Sequence, residues 1–178
     1  MSTKEIRWIR GDIINDSLVR NLEEIFNIKL PIQYINIVIN NDGSGPDIKD
    51  ENGNWKEGII NIPKWQPAGF LFISLQNAKS FGEPMVMITY KAFQECLPIP
   101  QKFFPFARDG SGNIYFFDYR KSANEPAIVF LDHERAVSKE DLIKEDLEEK
   151  PLNEWLNENL YYVCDSFSKL LDMIYPIH

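Results

Sequence analysis

Asp-Gly-Ser-Gly occurs twice, in "NNDGSGPD" (residues 40–47) and in "ARDGSGNIYFFDYR" (residues 107–120), and its residue types suit calcium ligation, anion cradling or chain reversal. A helix-loop-helix calcium site needs oxygen donors at loop positions 1, 3, 5, 7, 9 and 12 around a glycine at position 6. With Gly112 sixth, Asp109 falls third, Ser111 fifth, Ile114 eighth and Asp118 twelfth, but Ala107 stands first and offers no ligand. Asp118 is also a methylene shorter than the glutamate that grips the ion with both oxygens, so direct donors fall to about four where Ca²⁺ takes 6–8. The earlier copy has Asn40, Asp42, Ser44 and Glu51 at the first, third, fifth and twelfth places, yet Pro46 and Asp47 fill the seventh and eighth and no helix pattern follows. A phosphate cradle lacks its Gly-Lys-Ser/Thr, and the second copy leads into a strand pattern rather than a helix whose amides hold an anion.

Chain reversal fits better. "FFPFA" before the second copy and "NIYFFD" after it are short, aromatic and β-branched, the pattern of paired strands. Between them Arg108 to Gly112 supply glycine where a tight connection needs positive φ, and Asp and Ser side chains that bond the local backbone.

Other chemistry is thinly supplied. Asp132-His133-Glu134 is the single internal cluster of three metal-ligand types, and on a strand only Asp132 and Glu134 converge on one face. The second histidine is the terminal His178. A Ser-His-Asp triad lacks a Gly-x-Ser-x-Gly elbow, and Cys96 and Cys164, far apart and without C-x-x-C spacing, read as buried thiols. The expectation is a protein that is not an enzyme and needs no metal or cofactor. Trp55 and Trp65, set among Asn, Gly and Pro, are either binding anchors on a loop or lids over the edge of the core.

The elements that position these residues form an α+β pattern. Asn15 or Asp16 caps a helix through Phe26, with Leu18, Leu22, Ile25 and Phe26 inward; Pro31 opens a second to about Asn40, with Tyr34, Ile35, Val38 and Ile39 inward. "GIINIP" and "FLFISL" read as strands, "PMVMITYKAFQECL" as a helix behind Pro84, and "AIVFLDHE" as a strand with a polar end. Asp165 caps a last helix carrying Phe167, Leu170, Leu171 and Ile174 on one face. Helices at both ends of a mostly antiparallel strand region, without βαβ alternation, predict one α+β domain. Its 178 residues, 44% of them apolar, suffice for one core. The start has no apolar run suited to a signal peptide and no stretch reaches a membrane span, so a cytoplasmic protein without a membrane partner is expected.

Charge is local. Residues 132–178 hold 5 Lys/Arg against 12 Asp/Glu, and the formal net charge of the whole chain is −8. Residues 137–159 match neither a strand nor a clean core helix and read as an acidic surface insertion, densest at Glu140, Asp141, Glu145, Asp146, Glu148 and Glu149. Such a surface is either merely solvated or matched to a basic partner; direct nucleic-acid binding by it is disfavoured, because phosphate contact needs Lys and Arg.

Taken in order, these blocks resemble the SUKH superfamily, which includes the yeast Smi/Knr-like cell-wall regulators and many bacterial relatives. Leu30, Pro31, Tyr34, Asn41 and Gly43 match its opening block, with Asp42 intervening before the glycine. Pro105, Phe106, Ala107, Asp109, Gly112, Asn113, Phe117 and Asp118 match the second block; Asp132 and Glu134 echo the polar end of a strand, and "DSFSKLL" the closing helix. The resemblance implies a generally non-enzymatic α+β module. In bacteria it implies an immunity protein that neutralises a cognate protein toxin, often a nuclease whose basic cleft an acidic inhibitor can occupy. A regulatory scaffold of the yeast type is the alternative, and a metal-dependent hydrolase a lesser one.

Overall fold

A computed structural model describes residues 4–9, 11–66, 68–74 and 84–178. The chain order is β1 (Ile6–Ile9), α1 (Asp16–Phe26), α2 (Ile32–Asn41), β2 (Gly45–Lys49), β3 (Trp55–Ile60), β4 (Gly69–Phe70), β5 (Phe72–Ile73) and α3 (Met85–Phe93). It continues with β6 (Phe103–Arg108), β7 (Ile114–Asp118), β8 (Ala127–Leu131), α4 (Lys144–Glu149), α5 (Leu152–Glu158), β9 (Leu160–Cys164), α6 (Phe167–Met173) and β10 (Tyr175–Pro176). Two antiparallel sheets result, β1-β2-β3-β10 with β4 also on β3, and β5-β6-β7-β8-β9. The fold is α+β.

The amino-terminal helices follow from local signals. Asn15 is extended and its side chain accepts the Ser17 N–H at 2.9 Å, while Asn27 closes α1 in the left-handed region. Val19 and Leu22 are its buried stripe; Ile25, expected within it, is 62% exposed. Pro31 opens α2, and Tyr34 and Val38 are fully buried beneath it. The Tyr34 hydroxyl donates to the Phe106 carbonyl at 3.0 Å, and burial holds its pKa well above the ordinary phenol value.

The second sheet is buried on both faces, which is why its strands read as continuous apolar runs. Phe104, Phe106, Tyr115, Phe117, Ile128 and Phe130 face the main core, and Phe103, Ile114, Phe116, Val129 and Leu131 a smaller one with Cys96 and Leu97. Phe106 and Phe117 stack at 4.0 Å, and Tyr34 and Phe167 meet both rings edge-on. Pro105 is tolerated inside central strand β6 because the pairing with β7 slips between Pro105 and Ala107, a bulge that removes the need for its missing N–H.

Several expectations are corrected. "FLFISL" is divided: β4 joins the first sheet and β5 the second, and Leu75 lies outside the described residues. Strands β1, β2, β9 and β10 are not among the elements expected from the sequence. Ser166, not Asp165, caps α6, its hydroxyl accepting the Lys169 N–H at 3.3 Å; Asp165 takes the Tyr162 hydroxyl and the Lys169 ammonium instead. Cys96 and Cys164 are free and buried, and burial pushes the Cys164 thiol up to about 11.

Candidate functional site

The second Asp-Gly-Ser-Gly string turns β6 into β7. Asp109 Oδ1 accepts the backbone N–H groups of Ser111 at 2.8 Å and Asn113 at 2.9 Å, and Oδ2 accepts the Asn113 side-chain amide at 2.7 Å. Both carboxylate oxygens are therefore spent on the turn, and Gly112 supplies the positive φ of 96° that closes it. Asn113 Oδ1 then receives the His133 backbone N–H at 3.0 Å and lies 2.9 Å from His133 Nδ1. Because Oδ1 only accepts, Nδ1 carries the ring proton.

Asp132, His133 and Glu134 do not form a ligand set. The β8 strand stops at Leu131, so the alternation expected for Asp132 and Glu134 does not apply; they sit in a turn, with the Glu134 N–H on Asp132 Oδ1 at 3.1 Å. Asp132 Oδ2 accepts Trp65 Nε1–H at 2.9 Å and faces Arg135 at 3.5 Å. Among the described residues no three His, Cys, Asp or Glu side chains are placed to hold a metal. Trp65 itself packs on Phe130 at 4.6 Å as a lid on the core, whereas the half-buried Trp55 ring meets the Arg7 guanidinium at 4.4 Å and the Lys49 ammonium at 4.8 Å.

The remaining motif residues are mostly interior. Leu30 and Asp118 are buried; the Leu30 N–H is taken by Glu23 at 2.8 Å, and Asp118 meets Arg120 through Nε and a terminal nitrogen, the latter at 2.7 Å. Asn41 bonds back to the Ile37 carbonyl at 2.9 Å, and Gly43 has a φ of 83°.

The acidic segment carries several carboxylates without an ion pair among the described residues. It leaves and rejoins the body at one place: Asn159 accepts the Val137 N–H at 2.9 Å and donates to the carbonyls of Val137 at 2.8 Å and Cys96 at 2.9 Å. Between these ends Leu156 is fully buried, and Trp155 gives its N–H to the Asp146 carbonyl at 3.0 Å under the Lys150 ammonium. Asp146 accepts the Ile143 N–H at 2.9 Å at the start of α4; Asp141 accepts the Ser138 N–H at 2.8 Å, which holds its carboxyl below the ordinary value. Glu148 pairs loosely with Lys144 at 3.5 Å. Glu140, Glu145 and Glu149 are exposed and make no ion pair among the described residues. Within this rim Ile143 is 60% and Leu147 46% exposed, one turn apart, an apolar pair that the sequence reading passed over although its i, i+4 spacing was legible. A cleft of about 430 Å³ lies between α1 and α3 over Phe26, Met87, Tyr90 and Tyr119.

Among the described residues no helix is long and apolar enough to cross a membrane. The sequence profile of the family described as SMI1-KNR4 cell-wall, a SUKH family, matches residues 16–149, well over half of the 178. The chain belongs to that family. A comparison with curated proteins finds no match. Membership supports a protein-interacting module of immunity or regulatory type.

Proposed function

We propose that this SMI1-KNR4 family member is a non-enzymatic immunity protein that acts in the cytoplasm, where it binds and neutralises a cognate bacterial protein toxin carrying a basic nuclease domain. The supporting observation is the segment clasped by Asn159, where residues 139–158 carry three lysines against eight carboxylates. Exposed, unpaired Glu140, Glu145 and Glu149 supply a field that steers a basic partner, and Asp141, Asp146 and Glu148 extend it. Ile143 and Leu147 provide the apolar centre that a charged rim lacks, in keeping with the division of interfaces into apolar core and polar rim. A regulatory scaffold is the second reading, and the family description as cell-wall proteins is what favours it.

Stopped-flow association with the toxin encoded beside the gene tests the reading. The variant Glu145→Lys, Asp146→Lys, Glu148→Lys should associate about tenfold more slowly at low salt and with a flatter salt dependence, with dissociation little changed. Equal rates for a folded variant at both salts reject the acidic interface. A neighbouring toxin that does not bind the wild type at all rejects the immunity reading.

A further inference from the structure

The two Asp-Gly-Ser-Gly strings, remote in sequence, meet at one cavity, because β5 lies between them. On one side the Gly43 N–H donates to the Ile73 carbonyl at 2.7 Å and the Ile73 N–H to the Ser44 carbonyl at 3.0 Å. On the other side Phe72 and Ile73 pair with Arg108 and Ala107, which lead into the second string. The cavity between the strings measures about 540 Å³ and is lined by Gly43, residues 109–112, Phe72, Ser74 and Arg108.

Two of its lining groups lack the partners that such groups ordinarily have. Ser74 is 6% exposed, and its hydroxyl is the sole buried side-chain polar atom among the described residues with no hydrogen-bond partner. Buried polar atoms are nearly always satisfied, so an orphan hydroxyl at a cavity calls for an explanation. Arg108 is the second. Arg7, Arg120 and Arg135 each face an aspartate, whereas the guanidinium of half-buried Arg108, like that of exposed Arg20, has no hydrogen bond or ion pair among the described residues. The other charged lining residue, Asp109, has both oxygens engaged by the N–H groups of its own turn and does not neutralise Arg108 by contact.

We propose that this cavity binds a carboxylate, with the Arg108 guanidinium as counter-charge and the Ser74 hydroxyl as a further donor. A planar guanidinium matches a carboxylate through two parallel N–H bonds. The nearby Asp109 charge selects a singly charged guest over a doubly charged one, which places phosphate second. Gly43, Gly110 and Gly112 leave the walls without side chains, and Phe72 gives an apolar surface for the body that carries the carboxylate. The guest is a small organic acid or the acidic side chain of a protein partner. The site uses none of the residues assigned to the toxin-facing surface and stands or falls separately.

Amide chemical-shift titration of the whole chain with acetate, with N-acetylglutamate α-amide and with inorganic phosphate tests it. Saturable shifts at Ser74, Arg108, Gly110 and Gly112 with either carboxylate are expected, and about tenfold weaker binding of phosphate. Arg108→Gln should weaken carboxylate binding about tenfold, Ser74→Ala several-fold, and Arg108→Lys less than Arg108→Gln. Binding of the glutamate derivative without acetate assigns the guest as a protein side chain; comparable binding of both assigns a small acid. The proposal is overturned by the absence of saturable shifts at millimolar carboxylate, by phosphate binding as tightly as carboxylate, or by carboxylate binding that survives Arg108→Gln. Should Arg108→Gln not fold, Arg108→Lys and Ser74→Ala both binding like the wild type overturn it.

Discussion

Residues 50–54 and 109–113 are hairpin turns made with the same bonds. In each the aspartate N–H donates to the carbonyl of the asparagine four residues on, at 2.9 Å from Asp50 to Asn54 and 3.0 Å from Asp109 to Asn113. One carboxylate oxygen accepts two backbone N–H groups and the other the asparagine side chain, at 3.4 Å in the first turn and 2.7 Å in the second. Gly53 and Gly112 hold the same place with φ of 80° and 96°. Burial separates them. Residues 51–54 are exposed, whereas Asp109 and Asn113 are 6% and 5% exposed and Asn113 goes on to hold His133. Identical local chemistry is thus a surface convenience in one hairpin and a structural joint in the other. The repeat that matters structurally is Asp-x-x-Gly-Asn rather than Asp-Gly-Ser-Gly, whose first copy bridges two sheets instead of reversing a hairpin.

Substitutions sharpen this contrast. The largest effect belongs to the interior of the buried hairpin: Phe117→Ala, which removes the ring stacked on Phe106, should cost about 3–5 kcal/mol in chemical denaturation. A loss below about 1 kcal/mol would place Phe117 outside a tightly packed core. Next comes Asp109→Ala, which leaves two backbone N–H groups and the Asn113 amide without their acceptor in a buried setting and should cost about 2 kcal/mol.

The matching change Asp50→Ala should be milder, because water replaces the carboxylate at an exposed turn. Equal losses for the two alanine variants would break the comparison and show that burial does not set the worth of the motif. The smallest effect is a pH dependence. The backbone N–H of Asn54, and then that of Asn52, hold the Asp50 carboxyl below its ordinary 3.8. Its contribution is therefore complete above the unfolded value and disappears as pH falls through the folded one. Thermal denaturation of the wild type and Asp50→Asn from pH 6 to pH 3 should show their difference shrinking as acid is added; a gap that widens in acid contradicts the sign.

Asn15 capping α1, Pro31 opening α2, the strands around the second string and the inward face of Phe167, Leu170 and Ile174 are signals carried by neighbours within a turn or a strand period, and each was readable along the chain. Strand β2 escaped because its pairing, not its pattern, makes it a strand: it begins Gly-Pro. Strands β1 (IRWI) and β9 (LYYVC) do carry β-branched and aromatic residues, but β1 is four residues long and β9 is a five-residue run between the acidic segment and the last helix. The acidic composition of residues 137–159 was local as well, but only the fold brings Asn159 back to Val137 and Cys96 to close that segment. The same holds for Trp65, pinned by an aspartate 67 positions away, and for Ser74 and Arg108, which share a cavity because β5 pairs beside β6. Periodicity and capping are properties of adjacent residues and survive in a sequence; the partner of a buried polar group is set by chain crossings between distant segments, which the order of residues does not encode locally.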